Sequence, residues 1–156
     1  MERSYNITLK IIDILCFILY KINMRKILII DGQGGQIGSQ LIKSIIEYDV
    51  EIMAVGTNST ATNAMLKAGA KNGATGENPV IVGCKTADII IGPIGIVIAD
   101  SLYGEITPKM AIAVGQSNAK KILIPINKCD NIIVGVNDLS LTVMIKNVLK
   151  IVEDLI

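Results

Sequence analysis

A short apolar run that ends in clustered glycines constrains the fold of this chain more than any other feature. Residues 26–30 have the sequence KILII, the segment GQGGQIG follows at residues 32–38, and residues 35–47 carry apolar side chains at helical spacing. An unbroken run of Ile and Leu is typical of a strand buried on both faces, as in a parallel sheet. The order of strand, glycine turn and helix therefore predicts the first unit of an α/β sheet with right-handed crossovers.

The alternation of apolar runs and helical patterns continues to the end of the chain. Further strands are expected at residues 51–55, 87–91, 121–126 and 131–136, the last as a strand that pairs antiparallel at an edge. Helices are expected at residues 59–68, 95–102, 107–116 and from about residue 140 to the end. Residues 79–85 are expected to form a short helix, with a strand as the alternative, and residues 72–78 a glycine-rich turn. We therefore predict one α/β domain over residues 24–156, a three-layer Rossmann-like fold whose mostly parallel sheet has helices on both faces.

Residues 1–23 do not fit this pattern. Their longest uncharged run, residues 14–20, is far shorter than the roughly 20 residues that a membrane-spanning helix needs, and Asp13 would be costly in lipid. Because Met24 opens MRKILIIDG, which is typical of a first buried strand, we interpret residues 1–23 as an N-terminal extension upstream of the true start. A peripheral helix and a membrane anchor are the alternatives.

Composition excludes several classes of function. The net charge is +1 and only 3% of residues are aromatic, so neither nucleic acid nor an anionic membrane is expected as a partner. The chain has no histidine, which removes imidazole metal sites and His-activated nucleophiles, and no metal site is predicted. The three cysteines, Cys16, Cys84 and Cys129, form no CxxC pair, so we predict a reduced, cytoplasmic setting.

The glycine segment has the spacing GxxGxxG, from Gly32 through Gly35 to Gly38, with Gln33 and Gly34 between the first two. In nucleotide-binding loops one glycine permits the turn, one lets the backbone approach a phosphate, and one lets the helix pack against the strand. The N–H groups of the following helix can then bind the anion. The alternative is a tight turn that needs glycine only for steric reasons.

The end of the second strand lacks the acidic residue that binds the ribose of NAD, since residues 54–66 carry no charge. Thr57 and Asn58 could instead bind a ribose or a second anion, or they could simply cap the next helix. Tyr103 is followed four positions later by Thr107 rather than Lys, so the Tyr-x-x-x-Lys pair of short-chain dehydrogenases is missing. Support for hydride transfer is correspondingly weak.

Small and polar residues collect where the predicted strands end, which is where parallel sheets bind ligands. Gly92, Pro93 and Gly95 form a GPIG segment that is either a second phosphate-contacting loop or only a turn. Asn127, Lys128 and Cys129 follow another strand, and Cys129 is either a thiol of lowered pKa or a buried one.

Three carboxylates also fall near these strand ends. Asp31 and Glu105 are candidate acid/base groups, with structural roles as the alternative. Glu77, followed by Asn78, either reaches over the site or caps a helix. Cys84 is interpreted as a packing residue.

Several segments together carry a resemblance to a family. They are IDGQGGQIG, AVGTNSTATNAMLKAGA, GATGEN, ADIIIGPIGIVIADSLYGEIT and KKILIPINKC. In these segments the chain resembles a bacterial domain-of-unknown-function family of short Rossmann-like proteins, whose members begin at MKIAVIDGQGG-type sequences. The glycine loop itself resembles that of extended short-chain dehydrogenases. The resemblance implies a start at Met24 and no established activity.

The sequence therefore predicts a protein that binds a nucleotide, such as NAD(P), or another small phosphorylated ligand at the carboxyl edge of its sheet. One alternative is a small oxidoreductase or transferase that uses a nucleotide cofactor. Another is a non-catalytic sensor or partner-binding subunit. Because the chain leaves no room for a separate substrate domain, a full active site would need a homo-oligomer or another partner.

Overall fold

The computed structural model describes residues 12–15, 24–126, 131–136 and 139–156. Its strands are β1 Lys26–Asp31, β2 Glu51–Gly56, β3 Asn72–Thr75, β4 Ile89–Pro93 and β5 Lys120–Ile124. Its main helices are α1 Gln36–Ile45, α2 Ser59–Lys67, α3 Glu77–Thr86, α4 Pro108–Gln116 and α5 Leu141–Glu153. A short 3-10 helix, Ile94–Val97, and a four-residue helical turn, Ser101–Gly104, follow β4. The expectations for Asn127, Lys128, Cys129 and most of residues 1–23 lie outside the described residues.

The five strands form one sheet in the order β3-β2-β1-β4-β5, and every neighbouring pair is parallel. Asp31 at the end of β1 lies opposite Gly56 at the end of β2, so the carboxyl ends of the strands meet at one edge. The chain leaves β1 toward β2 and β3 on one side and returns to β4 and β5 on the other. The strand order therefore reverses between β1 and β4, which is where such sheets bind ligands.

Two apolar cores cover the two faces of the sheet. Ile27 and Ile29 of β1 face a core built with α1, α2 and α5, whereas Leu28 and Ile30 face a core built with α3 and α4. This alternation follows from the two-residue period of a strand, and it explains why β1 has to be apolar at every position between its ends. The predicted three-layer α/β fold is confirmed. Cys84 of α3 is buried in the second core, as expected of a packing residue.

Three local predictions were wrong. Residues 95–102 form no single helix, because the 3-10 helix ends at Val97 and Leu102 is left-handed, with φ of 55°. Residues 72–75 form the edge strand β3, paired with β2, rather than a turn. Their side chains are largely exposed, so no apolar pattern marks the strand, and the backbone pairing alone maintains it. Residues 131–136 form no strand, since Ile132 and Val134 are 92% and 94% exposed and the chain turns at Gly135 with φ of 84°.

The helix starts follow the capping chemistry of the sequence. Thr107 accepts a hydrogen bond from the backbone N–H of Met110, ahead of Pro108 at the first helical position. Ser140 caps α5 in the same way, and Asn58 caps α2 by accepting a hydrogen bond from the backbone N–H of Ala61. Among the helices of the described residues, none is long and apolar enough to cross a membrane.

Candidate functional site

A cleft of about 530 Å³ opens at the carboxyl edge of the sheet, beside the point where the strand order reverses. The glycine loop and the start of α1 form one wall, through residues 31–34, 36 and 37. Pro93 and Gly95 contribute from the end of β4, and the opposite wall comes from residues 125–126 after β5 and from the start of α5. A volume of this size is ordinary for small-molecule sites.

The buried carboxylate of Asp31 lies at the N-terminal end of α1. Its side chain is 3% exposed, and its carboxylate oxygens accept hydrogen bonds from the backbone N–H groups of Gly32, at 2.8 Å, and Gly38, at 2.7 Å. Burial raises the pKa of Asp31, although the bonds from Gly38, Gly32 and Ile37 oppose that rise. Because Gly35 at the N-cap has no side chain, Asp31 performs the capping. These contacts support the structural interpretation of Asp31.

The three glycines of the GxxGxxG spacing are each required by contacts within the protein. A Cβ on Gly32 would lie 2.6 Å from Oε2 of Glu105, and a Cβ on Gly38 would collide with Met65 of α2. Gly35 has φ of 67°, and a Cβ there would lie 2.7 Å from the backbone of Ala61. The spacing therefore allows α1, α2 and β1 to approach closely, and it is not in itself a sign of phosphate binding.

Gly34 differs from these three glycines. A Cβ at Gly34 would meet no atom within 4 Å, and the residue lines the cleft. The backbone N–H groups of Gly34 and Gln36 donate to no acceptor in the part of the chain that the structure describes. Both residues line the cleft at the positive end of the α1 dipole, so these two amides can donate to an anion there.

Glu105 joins the glycine loop to the end of β2. Its Oε2 accepts hydrogen bonds from the backbone N–H of Gln33, at 2.8 Å, from Nδ2 of Asn58, at 3.0 Å, and from the hydroxyl of Thr57. Burial alone would raise the pKa of Glu105, but the hydrogen bonds from Thr57, Gln33 and Asn58 outweigh it and lower the pKa. A carboxylate from a loop distant in sequence thus lies at the end of β2, where the local sequence has no charged residue.

Residues 100–105, which we call the strap, carry Glu105 across the sheet edge. Asp100, Leu102 and Tyr103 have φ values of 63°, 55° and 58°, a conformation that costs a residue with a side chain roughly 1–2 kcal/mol. The strap is held by a hydrogen bond from the Ser101 hydroxyl to the carbonyl of Gly95, at 2.5 Å, and by the burial of Leu102. Strain of this kind persists only where the surrounding contacts enforce it.

Comparison with known proteins identifies the family. A family model described as Domain of unknown function (DUF3842) matches residues 26–156. The chain belongs to this family. Comparison with curated proteins and with solved structures gave no match. The expected membership of an uncharacterised family is therefore confirmed, and the membership brings no activity with it.

The DUF3842 fold brings most of the predicted site residues to one edge but gives them different surroundings. Gln33 and Gly34 line the cleft together with Pro93 and Gly95. Thr57 and Asn58 lie on the other side of the glycine loop, where they hold Glu105. Gly92 packs inside the sheet, because a Cβ there would collide with the carbonyl of Ile30.

Glu77 of this DUF3842 chain lies between two helices. It accepts a hydrogen bond from the Thr107 hydroxyl, at 2.6 Å, and pairs with Lys109 at 3.6 Å. The contact with Thr107 lowers the pKa of Glu77, more than burial raises it. Glu77 therefore links the starts of α3 and α4.

Sequence reasoning missed the apolar wall of the cleft and the donor at Gln36. The wall consists of Ile37, Leu102, Ile126, Leu141 and Met144, together with Leu139. These residues come from four separate segments, so only the topology brings them together. Of the described residues that line the cleft, Asp31 alone is charged, and the described ranges contain no cluster of three Cys, Asp or Glu side chains able to hold a metal ion.

Proposed function

We propose that this DUF3842 protein binds a nucleotide or another phosphorylated small molecule in the cleft beside the glycine loop. The observation that carries the proposal is the pair of backbone amides of Gly34 and Gln36. They have no acceptor among the described residues and lie at the positive end of α1 in a cleft of about 530 Å³. The cleft lies at the reversal of strand order, the position at which open parallel sheets bind their ligands.

The two walls of the cleft suit the two parts of such a ligand. The amides and the α1 dipole can accept a phosphate without a cation, as helix N-termini do. The apolar wall around Ile37, Ile126 and Met144 can cover a base or another flat ring. The buried carboxylate of Asp31 already uses two amides of the same helix end, so the phosphate would be held at the mouth of the loop, where Gly34 lies.

Thermal denaturation with a panel of ligands tests this proposal. The panel comprises AMP, FMN, ATP, NAD, NADP, coenzyme A and UDP-glucose, with adenosine and riboflavin as unphosphorylated counterparts. A ligand at a hundred times its Kd stabilises the folded state by about 2.7 kcal/mol, which for a chain of this length corresponds to a rise in Tm of roughly 5–11 °C. We expect at least one phosphorylated compound to produce such a rise and its unphosphorylated counterpart to produce much less.

The variant Gly34→Asp tests whether the ligand that raises the Tm binds at the glycine loop. The new side chain meets no atom within 4 Å, so the fold should tolerate it, while its carboxylate repels an anion at the amides. Gly115→Asp is the matched control, because a Cβ on Gly115 also meets nothing within 4 Å and Gly115 is an exposed residue of α4. Loss of the ligand-induced rise in Gly34→Asp alone is the expected result. No rise with any phosphorylated compound, or an equal rise in Gly34→Asp and the wild type, would contradict the proposal.

A further inference from the structure

The second half of a dinucleotide site is already filled in this structure. Sheets that bind dinucleotides place one nucleoside at the end of the second strand, where an acidic side chain binds its ribose. Here that position, beside Gly32 and Thr57, holds the strap and its carboxylate.

The strap packs against the glycine loop and uses the hydrogen-bond donors at this edge of the sheet. Leu102 is buried, and its Cδ1 lies 2.9 Å from the point where a Cβ of Gly32 would be. Oε2 of Glu105 accepts a hydrogen bond from the backbone N–H of Gln33, which belongs to the glycine loop. The hydroxyl of Thr57 and the amide of Asn58 are directed to the same oxygen. The donors that a ribose or a second phosphate would use at this edge are thus bound to Glu105.

The strap is also anchored at both ends. Ser101 donates to the carbonyl of Gly95, the backbone N–H of Asp100 donates to the carbonyl of Ile106 at 2.8 Å, and Ile106 is fully buried. Opening the crevice would have to break these contacts together with those of Glu105. The open volume lies on the other side of the loop, toward β4 and β5, where Pro93 and Ile126 line the cleft.

We infer that the strap restricts the cleft to a mononucleotide, or a phosphorylated molecule of similar size, and excludes a dinucleotide. This inference rests on the proposed function. The phosphate lies at Gly34 and Gln36, and the rest of the ligand lies against the apolar wall. Glu105 then determines specificity by occupying the second nucleoside position and by engaging the Gln33, Thr57 and Asn58 donors there.

Amide hydrogen exchange measured by NMR on the full chain tests the closed crevice without any ligand. We expect the Gln33 amide, bound to Glu105, to exchange at least about tenfold more slowly than the Gly34 amide, which has no acceptor in the part of the chain that the structure describes, after correction for intrinsic rates. In Glu105→Ala this difference should disappear, and in the matched control Glu77→Ala it should remain. Equal corrected exchange of Gln33 and Gly34 in the wild type would overturn the inference, whatever the ligands do.

Calorimetric titration with AMP and NAD tests the restriction on ligand size. We expect the wild type to bind AMP at least about tenfold more tightly than NAD, and Glu105→Ala to reduce that ratio because it releases the donors of Gln33, Thr57 and Asn58 and removes the negative charge. Glu105→Gln, which keeps an acceptor and removes the charge, should lie between them and covers the case in which the alanine variant folds poorly.

The outcomes separate the two claims. Tighter binding of NAD than of AMP by the wild type, or weaker NAD binding in the Glu105 variants, would overturn the size restriction and leave the proposed function standing. A wild type that binds neither AMP nor NAD nor any other phosphorylated compound of the panel would overturn both.

Discussion

The substitution Gly35→Ala separates the structural role of the glycine loop from its role in the cleft. Alanine in the left-handed conformation of Gly35, with φ of 67°, costs about 1–2 kcal/mol. Its Cβ would also lie 2.7 Å from the Cα and carbonyl oxygen of Ala61, which are backbone atoms of α2 and cannot rotate away. Overpacking of this kind adds about 1–3 kcal/mol. We therefore expect Gly35→Ala to lower the free energy of unfolding by about 2–5 kcal/mol.

Urea unfolding followed by circular dichroism measures this loss, and Gly34→Ala is the matched control. Gly34 has no positive φ and a Cβ there meets nothing within 4 Å, so its substitution should change the free energy by no more than about 0.5 kcal/mol. In thermal unfolding the Gly35 variant should lose at least about 4 °C relative to the control. Equal stabilities of the two variants would refute the assignment of Gly35 to helix packing.

Two further predictions concern side chains at the sheet edge. The pKa of Glu105 lies below its ordinary value of 4.5, so Glu105 stabilises the fold above that pH and the stabilisation is lost as the pH falls through the folded pKa. The destabilisation caused by Glu105→Gln should therefore be present at neutral pH and diminish in urea titrations as the pH falls below 4.5, and a constant difference would contradict it. Thr107→Ala should cost about 0.5–2 kcal/mol because it removes the cap of α4 and the bond to Glu77, whereas Thr107→Ser should retain most of the stability. Equal losses in the two Thr107 variants would show that the hydroxyl is not responsible.

The parallel core of the fold could be predicted from the sequence because its strands are apolar at nearly every position. β1 and β4 are buried on both faces, and the short apolar runs KILII and III, each followed by glycine within two residues, are typical of such strands. β3 escaped prediction because Asn72 and Gly73 carry no such signal, and the strand exists through pairing with Met53 and Ala54 of β2. The apolar residues Ile132 and Val134 led to the prediction of a strand that does not form, since both side chains are exposed.

The location of the site could be predicted, but the partners of its residues could not. Parallel topology alone brings the glycine loop, Thr57 and Pro93 to one edge. The contact between Glu105 and Gln33 depends on a strap with several left-handed residues. The sequence LYGE does not indicate that Leu102 and Tyr103 adopt this conformation. The glycine spacing likewise had two explanations, and the positions of Ala61 and Met65 on α2 decide in favour of packing for Gly35 and Gly38.

The most direct test of a phosphate site at the glycine loop is an NMR titration of the nitrogen-15-labelled full chain with AMP. The amides of Gly34 and Gln36 donate to no acceptor among the described residues, and hydrogen bonding to an anion shifts amide resonances. We expect the largest shift changes at these two amides, with smaller ones at Ile37 and Ile126 on the apolar wall. Saturable changes that spare Gly34 and Gln36, or no saturable change at any amide, would contradict the account.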